Sequence, residues 1–225
     1  MRVLGLTEQL KPSELPALLG KDDPVILDIG CNDGEHTTQF LKWFPESRVY
    51  AFEPDARARS RYDKSVFSFR ATLFDIALGS KDGEAEFYPS NGFPTQEWRD
   101  HIPAGWDKSG SLRKPLEHLA MFPWCKFDPP VKVKVKRLDT WASEHGIDHI
   151  DLIWADVQGA EADLIEGGRE ALRRTRYFYT EYANEELYEG EIGLAQICDL
   201  LPCFEIMAIY RGGNALFKNK EMKDG

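Results

Sequence analysis

Two acids that close well-separated apolar runs carry the chemistry open to this chain. Asp156 ends IDLIWAD and Glu181 ends RYFYTE, with Asn184 following shortly. Brought to one pocket, two carboxylates can hold a divalent cation such as Mg2+, or one can orient an acceptor hydroxyl and take its proton. Asp156 also suits a helix N-terminus within DVQGAE, and Glu161, one turn on, serves capping as readily as function. His36 is a second candidate base, or a residue of a helix surface. His101 and His118 lie in a stretch whose geometry sequence alone leaves open.

A ligand for that chemistry is written upstream. Residues 25–34 read VILDIGCNDG, an apolar run ending in an acid and a glycine turn. One helix length later, residues 49–55 read VYAFEPD, an apolar run that ends at Glu53. Close backbone, helix N–H groups and a carboxylate for a ribose diol suit a nucleotide-like ligand. A dinucleotide fingerprint needs G-x-G-x-x-G, but GCNDGEHT has Asn32 at the second glycine position and Glu35 at the third. A pyrophosphate would meet side chains there, and no G-K-[ST] follows to make a P-loop. A phosphate-free adenosine ligand fits better. S-adenosylmethionine presents an ammonium, a carboxylate, a sulfonium and a ribose diol. Asp28, Asp33 and Glu35 would repel a phosphate yet tolerate that cationic portion, although Asp33 and Glu35 are equally suited to capping the next helix. Gly30 would let the backbone approach the ligand, and Glu53 would accept from both ribose hydroxyls. Adenine is expected near Asp75, Ile76 and Ala77: Ile76 in flat apolar contact, Ala77 through its backbone, Asp75 either on the amino group or facing water.

The elements needed to hold these groups follow from periodicity. Residues 25–29 form a continuous apolar run, as in a parallel strand covered on both faces. An amphipathic helix is expected over 37–44, stopped by Pro45, then a strand over 48–52 and a helix over 55–62. A strand is expected over 73–78, an added edge strand over 84–88, and a half-exposed strand over 131–135, where VKVKVK turns its lysines to water. Residues 89–130 hold Trp98, Trp106 and Trp124 among many glycines and prolines, and read as a partly ordered insertion or lid. Beyond it, strand and helix alternate again: helix 138–145 with Asp139 as its cap, strand 150–155, a helix from 160 interrupted at Gly167 and Gly168, strand 177–181 and helix 193–201. Strands 204–210 and 215–218 are joined by RGGN, a hairpin turn. Residues before Asp23 read as a short helical or irregular lead-in.

Composition bounds the partners. The chain has 225 residues, enough for one domain or one domain with an insertion. A formal charge of -10 argues against broad binding to nucleic acid or an anionic membrane. The cluster Arg169, Arg173, Arg174 and Arg176 reads as a solvated helix end. The four cysteines lack metal-site spacing and are expected as free thiols, Cys31 lining the ligand site. No run reaches transmembrane length and nothing marks export, so a cytoplasmic address is the default expectation.

The blocks ILDIGCNDGEHT, VYAFEPD, DIALGSKDGEAEFY, KVKRLDTW, DLIWADVQGAEADLIEGG, YFYTEY and NALF resemble, in that order, the FkbM-type S-adenosylmethionine-dependent methyltransferases, and they span residues 25–217. The resemblance implies a class I methyltransferase (Rossmann-like) α/β fold, with a seven-stranded, mostly parallel sheet and a C-terminal antiparallel hairpin. It implies one domain over 1–225, with 89–130 over the acceptor site. The cofactor loop carries over to Asp28, Gly30, Asn32 and Gly34, and the acid after the second strand to Glu53. The D-[VIL]-E-G-x-E block maps onto Asp156, Gly159 and Glu161, with Gln158 where the family more often has glutamate. SGSLRKP, residues 109–115, looks like a shortened relative of a serine-rich family segment and would frame the acceptor pocket. The implied reaction is O-methylation of a sugar or small natural product, with Asp156 and Glu181 positioning a hydroxyl or a metal. Trp98, Trp106 and Arg113 are the expected acceptor contacts, though the tryptophans equally suit burial under a lid. The implied partner is a small hydroxylated acceptor; N-methylation of a small amine, a non-catalytic cofactor-binding scaffold and a homo-oligomer stay open.

Overall fold

The computed structural model describes residues 9–66, 68–101 and 105–222, so the opening of the expected lead-in lies outside it. Along the chain run strands β1 (Val25–Ile29), β2 (Arg48–Phe52), β3 (Ala71–Phe74), β4 (Ala77–Leu78), β5 (Gly83–Phe87), β6 (Ser90–Gly92), β7 (Cys125–Phe127), β8 (Val131–Lys136), β9 (Ile150–Ala155), β10 (Thr175–Glu181), β11 (Phe204–Tyr210) and β12 (Asn214–Asn219). The helices are α1 (Leu15–Leu19), α2 (Glu35–Trp43), α3 (Ala56–Ser65), α4 (Gln96–His101), α5 (His118–Met121), α6 (Leu138–Glu144), α7 (Glu161–Gly167), α8 (Arg169–Arg173) and α9 (Leu194–Leu200).

Seven strands form the main sheet in the order β11-β12-β10-β9-β1-β2-β3. The pairs from β3 to β10 are parallel, whereas β12 runs antiparallel to both β10 and β11. This is the class I methyltransferase arrangement, and the hairpin forms where RGGN predicts it. The central strands bury both faces: Ile26, Leu27, Ile29, Leu152 and Ile153 are all inaccessible. One face packs on Trp141 of α6, Leu164 and Ile165 of α7, and Ile197 of α9. The other packs on Leu15 and Leu19 of α1 and Phe40 of α2, against Trp154, Tyr177 and Tyr179 from the sheet. Helices on both faces are what a continuous apolar strand demands. From β1 the chain goes to β2 on one side and later to β9 on the other. That divergence opens a crevice at the carboxyl ends of the strands.

Two local expectations are corrected. The run 73–78 is not one strand: it breaks at Asp75 and Ile76, β3 closing the main sheet and β4 joining a second sheet of order β4-β8-β5. Asp139 does not cap α6. Its carboxylate accepts from the N–H groups of Glu170 and Ala171 at 3.0 and 2.9 Å, at the start of α8, while Asp82 accepts from Arg137 N–H and the Thr140 hydroxyl beside α6. Segment 89–130 carries its own elements, with β6 and β7 paired antiparallel. In β8 the lysines do face water, Lys132 and Lys134 being 78% and 68% exposed.

Candidate active site

The glycine turn after β1 is fixed by hydrogen bonds before any ligand is considered. Gly30 and Cys31 donate to the Phe52 carbonyl at 2.9 and 3.1 Å, tying the turn to the end of β2. Gly30 has φ +79°, and a Cβ there would overlap the Asp156 carbonyl oxygen. The glycine is therefore required by the close approach of β9, a reason additional to ligand access. Asn32 takes φ +47°. Its amide donates to the Asp107 carbonyl at 3.2 Å and its oxygen accepts from Arg61 at 3.1 Å, while Arg61 pairs with the Asp107 carboxylate at 2.6 Å. Turn, helix α3 and the 89–130 segment are thus locked together at Asn32.

Glu53 lies at the end of β2 and is 6% exposed. One carboxylate oxygen accepts from Asn32 N–H at 2.9 Å and the other from Asp55 N–H at 2.7 Å. Each oxygen keeps a lone pair, so a diol can still bind. Burial pushes this carboxyl up to about 8, against the two backbone hydrogen bonds. The cleft above it is lined by Gly30, Cys31, Asn32, Asp33, Glu35, His36, Glu53, Ile76, Ala77, Lys108, Ser111, Asp156 and Gln158, among others. Burial lowers the His36 imidazole, which sits 4.8 Å from the Trp154 ring. Acids dominate, and Lys108 and His36 are the basic side chains among the described lining residues. Such a wall suits a cationic ligand and disfavours phosphates.

Beside the cleft opens a chamber of about 430 Å3. Asp156, Glu161, Glu181 and Glu191 line it, with Trp106, Trp124, His118, Phe122 and Tyr188 as aromatic walls. Lys108, Asp156 and Gln158 border both spaces. The ends of β9 and β10 therefore bring Asp156 and Glu181 together. Gln158 joins them, its amide nitrogen 2.6 Å from Asp156 and 3.2 Å from Glu181. Burial raises both carboxyls, and Glu181 is raised further by Asp156, Glu161 and Glu191. Burial also pushes Glu161 up to about 8.

The remaining predicted residues divide by position. Ile76 and Ala77 line the cleft and Trp106 the chamber. Asp28 lines neither: it is buried under the turn and accepts from the Thr37 hydroxyl at 2.5 Å, with burial pushing it up to about 7. Gly34 precedes α2 with a left-handed φ of +81°, and a Cβ there would come within 2.6 Å of the Tyr62 and Val66 side chains. Asp75 points to solvent and pairs with Lys134 at 3.3 Å, because the chain turns there between two sheets. Trp98 packs its ring 4.8 Å from Trp106 without lining the chamber. Arg113 is held by Asp163 of α7 at 2.5 Å and lines neither space.

The donor set at Asp156 and Glu181 does not fit a divalent ion. An amide already spans the two carboxylates, and among the described residues no group of three His, Cys, Asp or Glu side chains is placed to hold one. Sequence reasoning missed Gln158 as a site residue, although its departure from an acidic pattern was visible. It also missed Lys108 and Tyr188, which no motif marks.

Known proteins resemble this chain in sequence and in fold. The family model described as the methyltransferase FkbM domain matches residues 28–207. A 2-O-methyltransferase of Sinorhizobium fredii, NoeI, is 46% identical over 213 residues, covering 93% of this chain and 85% of that protein. The antimetabolite synthetase AmbE of Pseudomonas aeruginosa is 27% identical over 163 residues, covering 64% of this chain and 8% of that protein. A solved FkbM methyltransferase of Methylobacillus flagellatus KT aligns at TM-score 0.54 and 15% identity, over 93% of this chain and 48% of that chain, a likeness of fold.

Proposed function

The chain belongs to the FkbM methyltransferase family and is an S-adenosylmethionine-dependent methyltransferase; we propose that it methylates a hydroxyl of a sugar or small natural product seated in the chamber. S-adenosylmethionine supplies an electrophilic methyl group on its sulfonium. In this reading Glu53 takes the ribose hydroxyls, Ile76 and Ala77 flank the adenine, and Asn32 with Gly30 shapes the loop around the ligand. The acidic cleft favours the cationic methionine portion. Segment 89–130 covers the acceptor site, and its Trp106 and Trp124 offer flat apolar faces of the kind that stack on sugar rings.

The observation that carries the proposal is the junction. Asp156 borders both cleft and chamber, so a hydroxyl beside it also stands at the mouth of the cofactor site. A hydroxyl that attacks carbon must give up its proton, and a carboxylate whose pKa is raised by burial is a stronger base than an exposed one. Asp156 takes that proton, and Glu181 orients the acceptor. The relative of Sinorhizobium named as a 2-O-methyltransferase favours oxygen as the acceptor atom.

The test follows radiolabelled methyl transfer from S-adenosylmethionine onto a panel of hydroxylated glycosides and their amino-sugar counterparts. Transfer is expected on the hydroxyls. Asp156→Asn should lower kcat by about 100-fold or more, the scale of a lost general base, and Glu181→Gln should raise KM for the acceptor. Preference for the amines would overturn the acceptor, and unimpaired methylation by both variants would overturn the assignment of these acids.

A further inference from the structure

We propose that the Gln158 carboxamide stands where a bridging cation would otherwise be needed, holding Asp156 and Glu181 in register for the acceptor so that the chamber works without a divalent ion. The inference rests on the chamber being the acceptor site. An amide nitrogen has two N–H groups, and here they meet one oxygen of each carboxylate, at 2.6 and 3.2 Å. The reverse amide orientation would aim a carbonyl oxygen at two acceptors, so the donor side must face the acids. The other end of the side chain is fixed as well. The Tyr188 hydroxyl lies 3.1 Å from Gln158 Oε1 and 2.9 Å from the Ser109 carbonyl, sharing its proton between them.

The backbone at this point is unusual in the same direction. Gln158 takes φ +51°, a left-handed conformation that non-glycine residues rarely adopt. Its carbonyl accepts from the Ser111 hydroxyl at 2.6 Å, which pins the strained turn to the 89–130 segment. Gly159, at φ +89°, lies directly beneath Tyr188, where a Cβ would come within 2.8 Å of that side chain. Everything around Gln158 serves to present one amide to two acids. A neutral donor can bridge two carboxylates without adding charge, whereas a carboxyl at 158 would add a fifth acid to Asp156, Glu161, Glu181 and Glu191. Gln158 is thus a positioning residue, and Asp156 remains the group that meets the acceptor.

Gln158→Glu keeps the shape that Tyr188 packs against, removes the two donors and puts an ionisable acid in their place. Electron paramagnetic resonance of Mn2+ reads the outcome without any acceptor. The wild-type chain should leave Mn2+ free at concentrations where Gln158→Glu binds it at least tenfold more tightly, and the double variant Gln158→Glu, Glu181→Gln should lose that binding. On a methylated glycoside from the panel above, Gln158→Glu should lose at least tenfold in kcat. Mn2+ should restore part of that loss, whereas EDTA and Mn2+ should leave the wild type unaffected. The proposal is overturned if the wild type binds Mn2+ as tightly as the variant, or if Gln158→Glu is fully active without metal. Failure of every glycoside to accept a methyl group would count against the acceptor reading instead, and would leave the Mn2+ contrast to decide this one.

Discussion

Glu53 holds the fold, and in the proposed reading it holds the ligand as well. Its two backbone hydrogen bonds hold the glycine turn to β2, and the remaining lone pairs face the cleft. With burial pushing it up to about 8, the ligand-free carboxyl is mostly protonated at pH 7. Ribose hydroxyls donating to it favour the charged form, so binding should release a proton. The affinity for S-adenosylhomocysteine, which lacks the sulfonium charge, is therefore expected to rise with pH toward 8, by at most about tenfold per unit. Calorimetry at pH 7 in buffers of different ionisation enthalpy measures the proton directly. Glu53→Gln should weaken binding by roughly 10- to 100-fold, the range for a hydrogen bond to a charged group, and should flatten the pH dependence. Binding by that variant at wild-type strength would refute the ribose role.

Among the elements, those built from period and punctuation were legible and those built from long-range side chains were not. Residues 25–29 announced β1 because a strand buried on both faces must be apolar throughout, and Arg-Gly-Gly-Asn announced the hairpin because its turn needs glycine. Glu53 was readable for the same reason, as a lone acid closing such a strand. The break at Asp75 and Ile76 was hidden: both halves suit a strand, and only the competing pairing of Ala77 with Val135 in β8 parts them. Asp28 looked like a ligand because it precedes the turn, but strand alternation points it under the loop toward Thr37. Gln158 was visible as a letter, but its bond to Glu181 spans two strands and belongs to tertiary structure. Asp139 is the sharpest case, a plausible cap for the nearest helix that in fact caps α8, far along the chain. Asp139→Ala should cost about 1 kcal/mol, as a lost N-cap does. The urea midpoint should fall while the affinity for S-adenosylhomocysteine stays unchanged, since Asp139 lines neither cavity; an equal loss of ligand binding would show that α8 supports the site.

For the whole molecule, these buried acids make the site a source of instability that depends on pH. Asp28, Glu53 and Glu161 are 1%, 6% and 2% exposed, and burial pushes them up to about 7, 8 and 8. In the unfolded chain the same groups lose their protons near pH 4. Between about pH 4 and 8 the folded state therefore binds more protons than the unfolded one, and stability must fall as pH rises through that window. Asp151 acts in the opposite sense: His149, Val25 and Lys21 hold it below its ordinary range, so its contribution is lost only in more acid solution. The formal charge of -10 adds self-repulsion at the alkaline end. The ligand-free protein should accordingly melt several degrees higher at pH 6 than at pH 8.5. Saturating S-adenosylhomocysteine should narrow that gap, because it binds the form of Glu53 that prevails at high pH. Asp28→Asn, which keeps a hydrogen-bond acceptor for Thr37 but cannot ionise, should flatten the curve without altering ligand affinity. Calorimetric melting between pH 5.5 and 8.5, with and without ligand, separates these terms. A ligand-free melting temperature that climbs steadily with pH would mean that the acids beneath and beside the cleft are charged in the folded chain, and the account of the site as a set of carboxyls held near neutrality would fail with it.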